Sequence, residues 1–148
     1  VSMPQIEKSA LVMYSTKEMF DLVNDVEAYS QFLPNCSDSK IVSQQHNNMT
    51  ASIEISKAGI KKWFTTENTF IDEQTVLLKL VDGPFKTLKG RWHFQALDAH
   101  ACKVYLELEF EFSSKIIELA FGKIFNDVAK NMVSAFTSRA KEVYGARI

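Results

Sequence analysis

Chemistry in this chain would have to be built from three histidines, two cysteines and a short row of glutamates. His46, His93 and His100 share no spacing with one another, or with Cys36 and Cys102, that would converge on a metal ion. His93 alternates onto the polar side of its strand, where an imidazole is an ordinary solvated group. Glu107, Glu109 and Glu111 form an acidic row of the kind that binds a cation or supplies paired carboxylates. Hairpin geometry gives another account. With the turn centred on Ala99, Arg91 faces Glu107 and Lys89 faces Glu109, as solvated cross-strand pairs. The nucleophile elbow, the P-loop and the dinucleotide glycine fingerprint are all missing from the sequence. No catalytic constellation is legible, so the reading is of a binding protein without enzymatic activity. Lys57, Lys61 and Lys62 beside Trp63 make a local basic and aromatic cluster, suited to RNA phosphate and a stacked base. Lys61 and Lys62 are strand neighbours and point to opposite faces, so the cluster reads equally as an exposed strand end.

The element that must position everything else is a long helix near the end of the chain, expected from Ser114 to Tyr144. Ile117, Phe121, Ile124, Phe125, Val128, Met132, Phe136 and Val143 fall on one side at the helical period. Lys123, Asp127, Lys130, Ser134 and Lys141 fall on the other. Ser113 or Ser114 can cap its start, and Gly145 follows its last periodic residue. At 1.5 Å per residue the helix is roughly 45 Å long. Its apolar arc is wide and needs a broad surface to lie on.

At 148 residues, the chain is one ordinary domain, here bounded at residues 3–144. Eleven phenylalanines are many for this size and either fill a core or line a cavity for a large apolar ligand. A net charge of −1 gives no global pull toward DNA or an anionic membrane. The two distant cysteines read as free thiols in a reducing compartment. No apolar run reaches membrane-spanning length and no signal-peptide pattern is legible, so the expected location is the cytoplasm.

A first strand is expected over Gln5 to Met13, with Ile6, Ala10 and Val12 on one face and Lys8 intruding on it. Ser15 to Glu18 form a capping box for a short helix through Val23. Asn24 and Asp25 interrupt it and cap a second short helix, Val26 to Phe32, which Pro34 stops. From Cys36 to Phe112 the hydrophobic period is two. Alternating sets run through Met49–Ile55, Val76–Leu80, Leu88–Ala96 and Cys102–Phe112. Turn signals at His46-Asn47-Asn48, Ala58-Gly59, Asp72-Glu73-Gln74, Asp82-Gly83-Pro84 and Asp98-Ala99-His100 separate the runs. Short connections between alternating strands require antiparallel hairpins. The apolar sheet face needs a cover, and only the long helix is large enough. The expected fold is α+β, a curved antiparallel sheet wrapped around one C-terminal helix.

Several segments together resemble a known family. They are Leu22 to Pro34, Leu80 to Leu88 followed by Gly90, Trp92 and Phe94, and Phe110 to Phe112 leading into Phe121, Phe125, Met132 and Phe136, closing on Arg139 to Tyr144. In order and in nearly full coverage they resemble the coenzyme Q-binding branch of the START-like superfamily of polyketide cyclases and dehydrases, whose fold is the helix-grip. Within it the likeness is to the bacterial ribosome association toxins. Ser30 stands where the family commonly has Pro, and Asn35 where many quinone-binding members have Trp. The resemblance implies two activities. One is binding of ubiquinone or a similar isoprenoid, linked to respiration, between the helix and the sheet. Phe121, Phe125, Val128 and Met132 would form its helix wall, Trp92 and Phe94 its sheet wall, and Phe32 and Leu33 its mouth. The other is a toxin of a toxin–antitoxin pair that binds the large ribosomal subunit and blocks subunit joining, with a small ubiquitin-like antitoxin as partner. Its contacts would be made through ribosomal protein, or through a local patch such as Lys57, Lys61, Lys62, Lys86 and Lys89. On physical grounds the apolar ligand ranks first at this stage.

Overall fold

A computed structural model describes residues 5–147. Residues 3 and 4 of the expected domain lie outside the described residues. β1 (Gln5–Val12) leads into α1 (Thr16–Asn24) and a short 3-10 helix (Val26–Gln31). Six strands follow: β2 (Cys36–Gln44), β3 (Asn48–Lys57), β4 (Ile60–Ile71), β5 (Thr75–Asp82), β6 (Phe85–Asp98) and β7 (Ala101–Phe112). The chain then enters α2 (Lys115–Tyr144). All the strands form one antiparallel sheet in the order β1-β7-β6-β5-β4-β3-β2, so β1 and β2 are its edges. The antiparallel sheet against one long C-terminal helix that periodicity leads one to expect is the architecture observed, and it matches the helix-grip fold that the resemblance implies.

Local chemistry explains the boundaries. Ser15 Oγ accepts from the Glu18 N–H, and the Glu18 carboxylate accepts from the Ser15 N–H, closing the capping box. Ser114 caps α2 by accepting from the Ile117 N–H. Each of the five expected turn signals falls at a junction between consecutive strands, with Asn48, Asp82 and Asp98 already at strand ends. The β3–β4 loop is two residues, Ala58 and Gly59, both at positive φ (53° and 83°), the twist that a tight hairpin demands. The segment after α1 departs from expectation. It is a 3-10 helix, and the Asp25 side chain makes no capping bond. Asn24 instead donates back to the Phe20 carbonyl.

The inner sheet face carries Ile6, Val76, Trp92, Phe94, Val104, Leu106, Leu108, Phe110 and Phe112, all buried. Phe121, Phe125, Val128, Ala129, Val133 and Phe136 of α2 lie on it. Val143, expected on this side of the helix, is 48% exposed, because the arc drifts off the sheet near the helix end. Gly90 allows the sheet to coil tightly, since a Cβ there would collide with the Glu107 carbonyl oxygen. The far end of α2 is tied to α1. Tyr14 donates to the Gly145 carbonyl (2.7 Å), Tyr144 to the Glu18 carbonyl (3.1 Å), and Arg147 pairs with the Glu18 carboxylate (2.7 Å).

Candidate functional site

The residues expected to line an apolar cavity do meet between helix and sheet, where they pack on one another. The Phe136 ring lies 5.3 Å from Trp92 and 5.0 Å from Phe32, edge to face in both cases. Phe125 sits 4.9 Å from Phe110, and Trp92 stacks on Phe94 at 6.3 Å. Leu33, Trp92, Phe94, Phe121, Phe125 and Val128 are buried; Phe32 and Met132 are half-buried. Arg139 lies over the open face of Phe32, 5.1 Å from its centroid. A hollow of about 700 Å³ lies on the opposite, outer face of the sheet and touches none of these residues. Its lining mixes Lys79, Lys86, Lys89, Arg91, Glu107 and Glu109 with apolar Ile6, Leu77, Leu78, Leu80, Leu88 and Leu108.

The expected lysines divide into two groups. Antiparallel order brings the β3–β4 hairpin, the β5–β6 turn and the β7–α2 junction to one end of the sheet. Phe64, Phe85, Phe112 and Phe121 knit these pieces together, with ring centroids 5.8, 5.3 and 6.2 Å apart in sequence. A bond from the Ser113 N–H to the Pro84 carbonyl adds to the joint. Lys57, Lys61, Lys62 and Lys86 are therefore carried on one rigid end, and all but the half-buried Lys62 are exposed. Lys123 of α2 joins them there, as does Lys115, which is paired with Glu118 at 3.5 Å, a grouping that sequence distance hid and only topology reveals. Ile116 and Leu119, 77% and 79% exposed, add an apolar element beside them. Lys89 belongs elsewhere. It faces Glu109 across β6 and β7 at 3.4 Å, just as Arg91 faces Glu107 at 3.0 Å. Trp63 is 37% exposed on one side, with the Lys40 ammonium 5.0 Å over its ring. The turns at the opposite end carry Asp72, Glu73 and Asp98, while the lysine end also holds Asp82 and Glu111, so the lysines form a local group within a mixed surface.

The remaining reactive groups are quiet. Burial pushes the Cys36 and Cys102 thiols up to about 11, which disfavours the thiolate needed for nucleophilic or metal chemistry. His93 Nδ1 is bonded to Thr75 Oγ1 at 2.9 Å on the outer face. Among the described residues no group of three His, Cys, Asp or Glu side chains could hold a metal ion. No helix there is long and apolar enough to cross a membrane.

Residues 12–137 match the family described as polyketide cyclase / dehydrase and lipid transport, and the chain belongs to that family. Within it, this chain is 59% identical over 143 residues to the ribosome association toxin RatA of Vibrio cholerae serotype O1, spanning 97% of this chain and 99% of that protein. A more distant relative is the mitochondrial coenzyme Q-binding protein COQ10 homolog B of Xenopus laevis. It is 28% identical, with 95% of this chain and 59% of that protein aligned. Among solved structures, the Zhui aromatase/cyclase of Streptomyces sp. R1128 superposes with a TM-score of 0.83 at 13% identity, over 98% of this chain and 99% of that one. The last likeness shows the fold alone.

Proposed function

We propose that this protein is a ribosome-directed toxin that associates with the large subunit and hinders subunit joining. The observation that carries this reading is the end-to-end 59% identity to a ribosome association toxin. It reverses the order in which the apolar ligand ranks first on physical grounds. The grouping of lysines at one end of the sheet supports it physically. A protein of net charge −1 has no general affinity for RNA, so phosphate contact has to be local. Lys57, Lys61, Lys62 and Lys86 on one rigid end supply such a locality, and Lys89, paired with Glu109, drops out. A small ubiquitin-like antitoxin is the partner this reading brings with it.

The test is sedimentation of purified protein with isolated large subunits through sucrose gradients, between about 50 and 200 mM salt. Co-migration at low salt that fades with added salt, together with failure of small subunits to join, is the expected result. Independent migration at every salt concentration would refute it.

The COQ10 relative keeps a second reading in view, in which an isoprenoid such as ubiquinone enters between α2 and the sheet. Such a ligand would have to part the Phe136–Trp92 and Phe125–Phe110 contacts, so the pocket would open only on binding. Mass spectrometry of an organic extract of the purified protein tests it. A prenylated quinone at near-equimolar amount supports it, and an empty extract counts against it.

A further inference from the structure

Among the described residues β1 pairs with β7 on one side only, and no strand pairs with its other edge, which faces α2. Along that edge, between β1 and α2, runs a groove of about 290 Å³. Lys8 and Ala10 line it from the strand, and Lys130, Val133, Ser134 and Ser138 from the helix. Its polar groups are hydroxyls and two exposed ammonium groups, with no carboxylate in the lining. Lys8 occupies an inward position in the alternation of β1, between buried Ile6 and half-buried Ala10. An inward-facing lysine on an edge strand prevents indiscriminate strand pairing, because any added strand must answer its charge. On the other face of the same strand Leu11 is 69% exposed, and just past its end Met13 is 45% exposed.

We propose that the free edge of β1 is a strand-addition site for an acidic, extended segment of a partner protein. Backbone bonds to β1 would supply general affinity, and alternate side chains would supply the choice of partner. Carboxylates on the segment's inward positions would meet Lys8 and Lys130, with small apolar residues between them over Ala10 and Val133. Apolar residues on its outward positions would cover Leu11. A second copy of this chain is the poorer occupant. The inward positions of β1 are Ile6, Lys8, Ala10 and Val12, so a copy brings another lysine and no carboxylate.

The probe is a peptide of about ten residues repeating glutamate–valine–alanine–valine, so that glutamate and alanine alternate inward and valine points outward, with a lysine–valine–alanine–valine peptide as its counterpart. Both are titrated into the isotope-labelled protein and followed by amide shifts and hydrogen exchange. The expected result is shifts confined to β1 and residues 130–138, new protection of β1 amides, and no response to the lysine peptide. Lys8→Glu combined with Lys130→Glu should weaken the glutamate peptide by about tenfold or more and admit the lysine one. Both lysines are exposed, so the fold should survive, and Lys130→Gln alone should give an intermediate loss. Absence of shifts, shifts mapping to another surface, or equal binding of the two peptides would overturn the proposal. So would β1 protection that appears only with dimerisation in sedimentation.

Discussion

Arg147 grips Glu18 with both terminal nitrogens, Nη1 to Oε1 at 2.7 Å and Nη2 to Oε2 at 2.9 Å. The same carboxylate closes the capping box of α1. One side chain thus joins the start of the first helix to the segment that follows the last. The Arg147 hydrogen bonds, with smaller help from Ser15, hold the Glu18 carboxyl down at about 2, against an ordinary 4.5. A depressed carboxyl stabilises the fold above its unfolded value and loses that contribution as the pH falls toward its folded value. Glu18→Gln should therefore lower the melting temperature at neutral pH. The gap from the wild type should hold down to about pH 4.5 and shrink toward pH 2. Thermal melts across that range check it, and a gap independent of pH would disprove the assignment.

Gly90→Ala should be costly although it adds only one carbon. The new Cβ would meet the Glu107 carbonyl oxygen and a Leu108 methyl, and neither backbone can retreat without breaking the β6–β7 ladder. A loss of about 1–3 kcal/mol is expected, the usual cost of overpacking. Urea denaturation measures it, and a change near zero would mean that the sheet coils less tightly there.

The outer-face pairs should matter far less. Lys89–Glu109 and Arg91–Glu107 stand opposite each other in register, but all four side chains are substantially exposed to water. Double-mutant cycles should give coupling of about 0–1 kcal/mol for each pair, reduced by salt. A coupling well above that would point to a structural role that their exposure does not suggest.

Much of the fold was legible because turns and alternation act locally. Asp82-Gly83-Pro84 reads as a reversal whatever surrounds it, and the strict alternation from Cys102 to Phe112 leaves one possible inward face. The 3-10 helix at Val26–Gln31 was harder, because its choice over an α-helix follows from packing beneath it. There, Tyr29 is fully enclosed and its hydroxyl donates to the Val23 carbonyl. Asn35, noted only as a departure from the family's Trp, sits at φ 64°, a conformation that Asn tolerates far better than a bulky aromatic. The lysine grouping was hidden for another reason. Lys57 and Lys123 are distant in sequence, and only the order of strands brings their elements to one end. Periodicity also identifies a helix face without saying whether large residues on it surround space or each other.

Val128→Trp addresses that ambiguity. Val128 is 3% exposed on the sheet side of α2. In packed core, the larger side chain should cost about 1–3 kcal/mol, with a clear fall in melting temperature. Were there space for an isoprenoid at this point, tryptophan would fill it, the protein would keep its stability, and quinone retention would vanish. Melting curves on both proteins, read beside their organic extracts, distinguish these outcomes.

The last prediction concerns how the ribosome would be held. Each lysine that neutralises a phosphate releases counterions, so the logarithm of affinity falls with the logarithm of salt in proportion to the number of contacts. Lys57, Lys61, Lys62 and Lys86 share one end of the sheet, whereas Lys89 is held by Glu109 on the outer face. Replacing any one of the first group with glutamine should weaken large-subunit binding and flatten the salt slope by about one unit for double-stranded regions. Lys89→Gln should leave the slope unchanged. Because these side chains are exposed or half-buried at the rim of the sheet, folding should be preserved. Equal effects at all five positions would indicate diffuse attraction rather than a defined contact. An unaltered slope throughout would mean that the subunit is engaged through protein, and the search would move to exposed Ile116 and Leu119 at the start of α2.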